Sequence, residues 1–308
     1  MRVFELYCGI GGCAAALSAW PGASNVVAAV DIHRGALDVY SHNFAHPTVA
    51  AAIDSLSADR LQAWDADLWW LSPPCQPFTR RGVRRDIDDP RCRSLLTLLT
   101  RLESAPPRFL ALENVPGFHG SQMHGRLRDA LERAGFGTVH ERTFCPTEAG
   151  VPNRRQRFYL LAAREPIAAP RLPPLARRCL RDFLLPERDA DPDLHVDPEL
   201  LEKYRGAIHV LELEERNDPG AVSHCFTSAY GRSPVRSGSY LRTARGVRRF
   251  APVEILRLLG FPEGYSLPRE MGLNSAWRLV GNSLSIVAVR AVLGPVLEEA
   301  SPIAGNLR

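Results

Sequence analysis

A glycine-rich turn near the start of the chain has the residue types of a ligand-binding loop. The segment 4–12 reads FELYCGIGG, and an alanine-rich stretch follows it. Glycines let the backbone approach a ligand closely, and a helix start offers free N–H groups. The spacing is GxGG and not GxGxxG, so a carboxylate or an amino acid would fit as well as a pyrophosphate. Asp31, at the end of the next apolar run, could accept ribose hydroxyls. The pair favours a nucleoside-type cofactor, although the turn alone is equally typical of a plain tight turn.

A cysteine framed by prolines is the second candidate. Cys75 stands in the segment SPPCQPF, directly after an apolar run. The prolines stiffen the loop, and ligands of open α/β sheets bind just beyond strand ends. We therefore interpret Cys75 as a nucleophile rather than a packing residue. Nearby positive charge would favour its thiolate. Arginines follow in a loop that could also be a solvated surface segment; they are Arg80, Arg81, Arg84 and Arg85.

Three further polar motifs are weaker when taken singly. Glu113, in the triplet ENV, follows an apolar run and could donate a proton to a base or be only a turn acid. Arg155 and Arg157 are predicted to share one face of a strand, where they could bind a base carbonyl and a phosphate or be surface charges. The triplet Gly281-Asn282-Ser283 has the residues of a helix N-cap.

Alternating apolar runs and helical patterns must position these residues. The runs are Val3–Tyr7, Asn25–Val30, Asp67–Leu71, Phe109–Leu112 and Phe158–Ala162. Leu95, Leu98, Leu99 and Leu102 mark one helical face within 92–103. This order predicts βαβ units and a mainly parallel sheet.

The pattern breaks at a proline-rich segment, 166–174, and becomes polar and arginine-rich to about 250. Helical signals return after Pro252 and from about Ser283, where Gly294-Pro295 is expected to interrupt the last helix. We expect an α/β fold with a catalytic and cofactor-binding domain from 1–170 plus 250–308, and a small inserted target-recognition domain over 171–249.

Composition sets limits on the partners. The chain has 308 residues, a net charge of +4 and seven cysteines without a CxxC pair. This argues against a disulfide framework and a structural zinc site, so no metal is expected. The mild positive charge hints at a polyanionic partner. No apolar run approaches the roughly 18 residues of a membrane span. We expect a cytoplasmic monomer without a membrane partner.

The order of the motifs resembles that of the cytosine-5 methyltransferase family. The glycine turn, Pro-Pro-Cys-Gln, Glu-Asn-Val, Arg-x-Arg and Gly-Asn-Ser occur in the family's order over nearly the whole chain. The tRNA-aspartate branch is the most similar, because of Cys225-Phe226-Thr227, Ala229-Tyr230-Gly231 and the stretch from Phe250 to Pro262. The segment 170–220 matches nothing in this family.

The resemblance implies a Rossmann-like S-adenosylmethionine-dependent fold and a reaction. The Cys75 thiolate would add to C6 of an anticodon-loop cytosine, tRNA position 38, of tRNA-Asp. Glu113 would serve N3, Arg157 would stabilise O2, and Arg155 would support the loop or a phosphate. Duplex DNA is the alternative substrate. An inactive nucleic-acid binder is disfavoured by the intact catalytic set, and a nicotinamide dehydrogenase by the missing GxGxxG.

The resemblance also implies binding residues. Asp31 would hold the ribose, Asp54 the adenine, and Ile32 would pack against it. The other expected cofactor contacts are Tyr7, Cys8, Gly9, Gly11, Gly12, Ser55, Pro74, Asn282 and Ser283. The expected substrate contacts are Gln76, Arg80, Arg81, Arg84, Cys225, Phe226, Thr227 and Tyr230.

Overall fold

The computed structural model describes residues 1–79 and 85–300, so the predicted contacts Arg80, Arg81 and Arg84 lie outside the described residues. The chain packs into two compact units. The first unit contains Met1–Phe144, Gln156–Arg171 and the chain from Ala288 onward. The second contains Cys145–Arg155 and Leu172–Val287.

A seven-stranded sheet organises the first unit, in the order β3-β2-β1-β4-β5-β7-β6. Strands β1 to β5 are parallel, whereas β7 runs antiparallel to both β5 and β6. The strands are β1 (Arg2–Leu6), β2 (Asn25–Asp31), β3 (Thr48–Ala50), β4 (Leu68–Leu71), β5 (Phe109–Asn114), β6 (Thr138–Phe144) and β7 (Arg157–Ala163).

Helices connect and cover these strands. They are α1 (Gly12–Leu17), α2 (Arg34–Asn43), α3 (Ala58–Ala63), α4 (Arg93–Leu102), α5 (Gln122–Arg133) and α9 (Ile286–Ala300), the last belonging to this unit from Ala288. The leucine face of α4 packs into a core with Trp69 of β4 and Leu110 of β5. Every residue of β4 and β5 is buried, as expected for central strands with both faces covered.

The second unit has a three-stranded sheet, β10-β9-β8, and three helices. Its elements are α6 (Pro198–Lys203), β8 (His209–Leu211), β9 (Ser239–Thr243), β10 (Gly246–Arg249), α7 (Pro252–Leu259) and α8 (Leu273–Gly281). Arg248, fully buried, pairs through both terminal nitrogens with Glu254 at 2.8 and 2.9 Å. Its Nε donates to Asp189 at 2.8 Å. This network ties β10 to the start of α7.

The predicted α/β class, the mainly parallel sheet and all five predicted strands are confirmed, and the antiparallel pairs are those that β7 forms with β5 and β6. Short β3 and half-exposed β6 carry little apolar signal, and the sequence did not indicate them. The expected interruption at Gly294-Pro295 is wrong, because α9 continues through Pro295. The helix is apolar and largely buried, and its packing offsets the backbone hydrogen bond that proline lacks.

Two expectations about organisation remain. The units group 145–155 and 250–287 with the inserted segment, whereas the predicted domains assigned them to the catalytic part. Packing units are not functional domains, so those boundaries stay a prediction.

The stretch Leu273–Glu298 is long and apolar enough to cross a membrane, contrary to the estimate from single apolar runs. However, 78% of its most apolar window is buried inside the protein, as in the core helices of many globular folds.

Candidate active site

The candidate site lies where the strand order of the first unit reverses. Strands β1 and β4 are parallel neighbours, with β2 and β3 on one side and β5 on the other. Ligands of open α/β sheets bind outside the carboxyl ends of the strands at such a switch point. The glycine turn follows β1 and the cysteine loop follows β4, so both motifs stand at this crevice.

The glycine turn depends on backbone conformations that favour glycine. Gly9 and Gly11 have φ values of +53° and +85°, and Tyr7 also has positive φ. A Cβ on Gly11 would lie 2.7 Å from the ring of Phe44, so that position also needs a missing side chain. Tyr7 donates a hydrogen bond from its hydroxyl to Ser94 at 3.0 Å. The thiol of Cys8 is buried, and burial raises its pKa far above the ordinary value, while the expected cofactor contact of Cys8 stays a prediction.

The cofactor residues that follow β2 lie at the same edge. The Asp31 carboxylate accepts the N–H groups of Gly9 at 2.9 Å and His33 at 2.8 Å. Next to it, Ile32 is 73% exposed, which is unusual for a large apolar side chain. Asp54, in a 3-10 turn with exposed Ser55, pairs with Arg93 at 3.4 Å. These residue types suit a nucleoside. The carboxylates of Asp31 and Asp54 can accept hydrogen bonds, and the exposed side chain of Ile32 can pack against a flat base.

The loop carrying Cys75 is anchored at two points. Asn114, buried at the end of β5, donates from its side-chain amide to the carbonyl of Pro73 at 3.1 Å. A Cβ on Gly117 would lie 2.2 Å from the carbonyl oxygen of Phe78, so the segment after β5 packs closely on the loop. Cys75 itself is half-buried and begins a 3-10 turn over Gln76–Phe78. The thiol is thereby placed at the strand end and kept partly accessible.

Glu113 and Arg157 form an ion pair beside this loop. Arg157 Nε lies 3.2 Å from Glu113 Oε1, and the side chains are 15% and 10% exposed. The antiparallel pairing of β5 and β7 brings them together, because Asn114 lies opposite Phe158. Arg157 also donates from Nη1 to the carbonyl of Gln156 at 2.8 Å. A carboxyl group and a guanidinium are thus held close to the end of β5.

A second arginine lies near the cysteine. Asp89 holds Arg91 through hydrogen bonds at 2.8 and 2.6 Å. These bonds lower the pKa of Asp89 to about 2 and raise the pKa of Arg91. The charge of Cys75 raises the pKa of Arg91 as well, by a smaller amount. Arg91 was not among the arginines that the sequence singled out around Cys75.

Arg155 corrects the prediction of a shared strand face. It precedes β7 and belongs to the second unit, where it is only 3% exposed. Its guanidinium donates to the carbonyls of Phe226 at 2.9 Å, Gly281 at 3.3 Å and Ser283. The chain leaves the strand geometry here, since Asn153 pairs with Ser223. Because β7 begins at Arg157, Arg155 does not share a strand face with it, and its carbonyl contacts hold loops of the second unit. The predicted part of Arg155 in the site stays a prediction.

The Cys225-Phe226-Thr227 segment is held by this arginine and by a glycine. Cys225 is half-buried with Sγ 3.5 Å from Arg155, and a Cβ on Gly281 would lie 2.3 Å from the Thr227 backbone. The expected substrate contacts of Phe226 and Tyr230 stay predictions. The two residues are 2% and 1% exposed and pack in the core, and the Tyr230 hydroxyl donates to the Ser239 carbonyl. Within this segment, Cys225 and Thr227 are half-buried and are therefore the more accessible residues.

The remaining predicted residues divide by exposure. Gln76 and Asn282 are exposed, Pro74 is half-buried, and Gly12 and Ser283 are buried. The expectation that Gly281-Asn282-Ser283 caps the last helix is wrong, because α8 ends at Gly281 with Asn282 as its C-cap, and α9 begins only at Ile286. Asn114, which anchors the cysteine loop, was not predicted, although its position directly after Glu113 at a predicted strand end was a usable signal.

Comparisons with known proteins agree with this geometry. The family described as C-5 cytosine-specific DNA methylase matches residues 1–298. The tRNA (cytosine(38)-C(5))-methyltransferase of Spodoptera frugiperda is 30% identical over 338 residues, covering 96% of this chain and 99% of that protein. A DNA (cytosine-5)-methyltransferase of Dictyostelium discoideum is 29% identical, with 95% and 93% covered. The crystal structure of the S. pombe Dnmt2 methyltransferase superimposes with a TM-score of 0.83 at 30% identity, covering 97% of this chain and 98% of that one.

Proposed function

The chain belongs to the C-5 cytosine-specific DNA methylase family, and we propose that it transfers a methyl group from S-adenosylmethionine to C5 of an anticodon-loop cytosine, position 38, of tRNA-Asp. The observation that carries this proposal is the anchored cysteine loop beside the Glu113–Arg157 pair. Asn114 joins the two, because it follows Glu113 on β5 and holds the carbonyl of Pro73. The nucleophile and the charged pair thus share one scaffold.

Cys75 performs the covalent step. Its thiolate forms a bond from Sγ to C6 of the base, and the electron pair of the C5–C6 double bond moves to C5 and toward N3. This makes C5 nucleophilic, which it is not in cytosine. After C5 has gained a methyl group, a base removes the C5 proton. The electron pair of that C–H bond restores the double bond, and Sγ departs with the electrons of the C6–S bond.

Glu113 and Arg157 stabilise the charge that develops during addition. The Glu113 carboxyl group donates a proton to N3 and accepts a hydrogen bond from the exocyclic amine, and the proton returns on elimination. Arg157 lies at 3.2 Å from that carboxyl group and supplies a positive charge toward O2. Their low exposure strengthens both interactions, since less water competes for them.

The residues at the switch point fit S-adenosylmethionine. The exposed Ile32 lies between Asp31 and the 3-10 turn of Asp54, where a flat base would cover its apolar side chain. Asp31 would hold the ribose, and the turn at Gly9 and Gly11 would accept the amino-acid end. When bound there, the cofactor supplies an electrophilic methyl group.

A tRNA loop is a better substrate than duplex DNA for two reasons. The relative from S. frugiperda is named as a tRNA (cytosine(38)-C(5))-methyltransferase. Addition at C6 also requires an unstacked base, and a loop base costs less to expose than a paired one. Duplex DNA is the second candidate, supported by the D. discoideum relative. A cytoplasmic monomer remains part of the proposal.

Transfer of labelled methyl groups tests the substrate. The protein is incubated with labelled S-adenosylmethionine and with a tRNA-Asp transcript, the same transcript with uridine at position 38, or duplex DNA. We expect label in the first only. Label in DNA alone would overturn the tRNA assignment, and equal label in both transcripts would overturn the target nucleotide. A transcript with 5-fluorocytidine at position 38 should be trapped covalently by the wild type and not by Cys75→Ala.

A further inference from the structure

Two histidines and a glutamate of the first unit form a cluster that the reaction does not use. Their ligand atoms, one from each of His119, His124 and Glu141, all lie within 4.8 Å of one another. His119 follows the 3-10 turn Pro116–Phe118, His124 stands in the first turn of α5, and Glu141 lies on β6. We propose that this cluster is a binding site for a divalent transition-metal ion, with Zn²⁺ as the ion it fits best.

The donor atoms are arranged around one carboxylate. His124 Nε2 lies 2.9 Å from Glu141 Oε1, and His119 Nε2 lies 3.5 Å from Oε2. Two imidazoles and a carboxylate are a ligand set that Zn²⁺ prefers, and tetrahedral ligands of zinc stand about 3.4 Å apart at bond lengths of about 2.1 Å. The observed spacings bracket that separation. His119 is 60% exposed, which gives an ion access and leaves room for water as a fourth ligand.

Three existing contacts must change when the ion binds. The ion takes the place of the proton between His124 Nε2 and Glu141 Oε1, which now lie 2.9 Å apart. Arg128, half-exposed, lies 3.3 Å from Glu141 Oε1 and would be displaced by the stronger charge. The N–H of Gly120 donates to Nδ1 of His124 at 3.2 Å, so the proton of the neutral ring is on Nε2. Metal at Nε2 requires this proton to be on Nδ1, and the Gly120 hydrogen bond must then break. The exchange gives metal binding a specific signature at Gly120.

The site would stabilise the scaffold behind the catalytic pair. The rings of His119 and His124 both pack on Phe158, at 5.5 and 5.6 Å between centroids. Phe158 is the next residue after Arg157 on β7 and lies opposite Asn114. Bound metal would join the segment after Glu113 to α5 and β6. We assign it a structural role, since side chains alternate along β7 and Phe158 faces away from Arg157.

Metal content and affinity test the proposal. The wild-type protein is stripped with a chelator and dialysed against Zn²⁺, and bound zinc is measured by elemental analysis and by competition with a chromogenic chelator. We expect one site, weakened about tenfold or more by His124→Ala and by Glu141→Gln. His42→Ala removes an exposed histidine elsewhere in the unit and should leave affinity unchanged. Circular dichroism checks that the variants fold. If His124→Ala does not fold, the zinc affinities of Glu141→Gln and His119→Ala test the site instead.

Cysteine ligation is the main competing outcome, because Cys75, Cys179 and Cys225 are all partly accessible. The Co²⁺-substituted protein distinguishes it, since thiolate ligands give an intense near-ultraviolet charge-transfer band and an imidazole and carboxylate set does not. Hydrogen exchange at Gly120 should rise on metal binding in the wild type. A thiolate band, no bound zinc, or equal affinity in the wild type and the cluster variants would each overturn the site.

Discussion

Arg155 and Arg157 are two residues apart in the chain, but Arg155 is fixed in the core of the second unit, whereas Arg157 pairs with Glu113 at the end of β5 in the first. Arg155 donates to three backbone carbonyls and is 3% exposed. Arg157 pairs with Glu113, for which we propose a role in the reaction. Under the proposed function, substitutions at the two arginines should therefore separate stability from catalysis.

The two units also differ in how they hold a buried carboxyl group. In the second unit, Glu254 is matched by both terminal nitrogens of Arg248. In the first unit, Glu5 is fully buried beneath the glycine turn and accepts a hydrogen bond from the neutral hydroxyl of Tyr40 at 3.0 Å. A buried carboxyl group that lacks an adjacent cation is stable as the neutral acid. The second unit thus uses paired charge as structure, whereas the first holds a carboxyl group that can titrate.

The largest effect is expected for Cys75→Ala. Loss of the nucleophile should reduce methyl transfer by roughly 10⁴-fold or more, because no other group can activate C5. Binding of S-adenosylmethionine, measured by calorimetry, should survive, as should the melting temperature. Residual transfer within about tenfold of the wild type would show that the thiol is not the nucleophile.

Arg157→Met should reduce turnover by roughly 10² to 10³-fold, the effect of removing one group that stabilises developing charge. The fold should persist, because the guanidinium is partly exposed and the methionine fills a similar volume. Single-turnover rates with saturating tRNA would measure the effect. A loss confined to KM would instead place Arg157 in ground-state binding.

Arg155→Met should act on stability. It leaves the carbonyls of Phe226, Gly281 and Ser283 without their charged donor, at a cost of roughly 3 to 5 kcal/mol. Denaturant unfolding monitors the free energy, and Arg154→Met, at an exposed neighbouring position, is the matched control. An Arg155→Met protein as stable as the wild type but inactive would reverse the roles assigned to the two arginines.

The sequence predicted the strands with strong apolar runs and the order of the catalytic motifs, because both are local signals. It could not predict that Arg155 leaves the strand, since its partners Phe226 and Gly281 are 71 and 126 residues away. The contact from Asn114 to Pro73 was missed for the same reason, because it joins residues 41 apart in the chain. The antiparallel edge formed by β6 was also missed, because its half-exposed residues have no clear alternation. Local sequence patterns do not predict contacts between residues that are far apart in the chain.

Glu5→Gln examines the buried carboxyl group of the first unit. Desolvation raises the pKa of Glu5 to about 8, the Asp31 charge adds to the shift, and the Tyr40 hydrogen bond opposes it. The thiols of Cys8 and Cys13 also lie nearby, and His46 contacts Tyr40 at 3.0 Å. The folded protein therefore keeps this proton to about pH 8, whereas the unfolded chain loses it near pH 4.5. Stability from this group is present at low pH and falls as pH rises through that interval.

Glutamine retains the acceptor for Tyr40 but cannot ionise. The unfolding free energy of Glu5→Gln minus that of the wild type should therefore increase between pH 5.5 and pH 8, by up to roughly 3 kcal/mol. Comparing the two proteins at each pH cancels the histidines, which titrate in both. Glu254→Gln is the contrasting variant, because it breaks a matched pair with Arg248 and should destabilise at both pH values. A difference for Glu5→Gln that stays constant with pH would mean that Glu5 is ionised in the folded protein, and the contrast between the two buried carboxylates would fail.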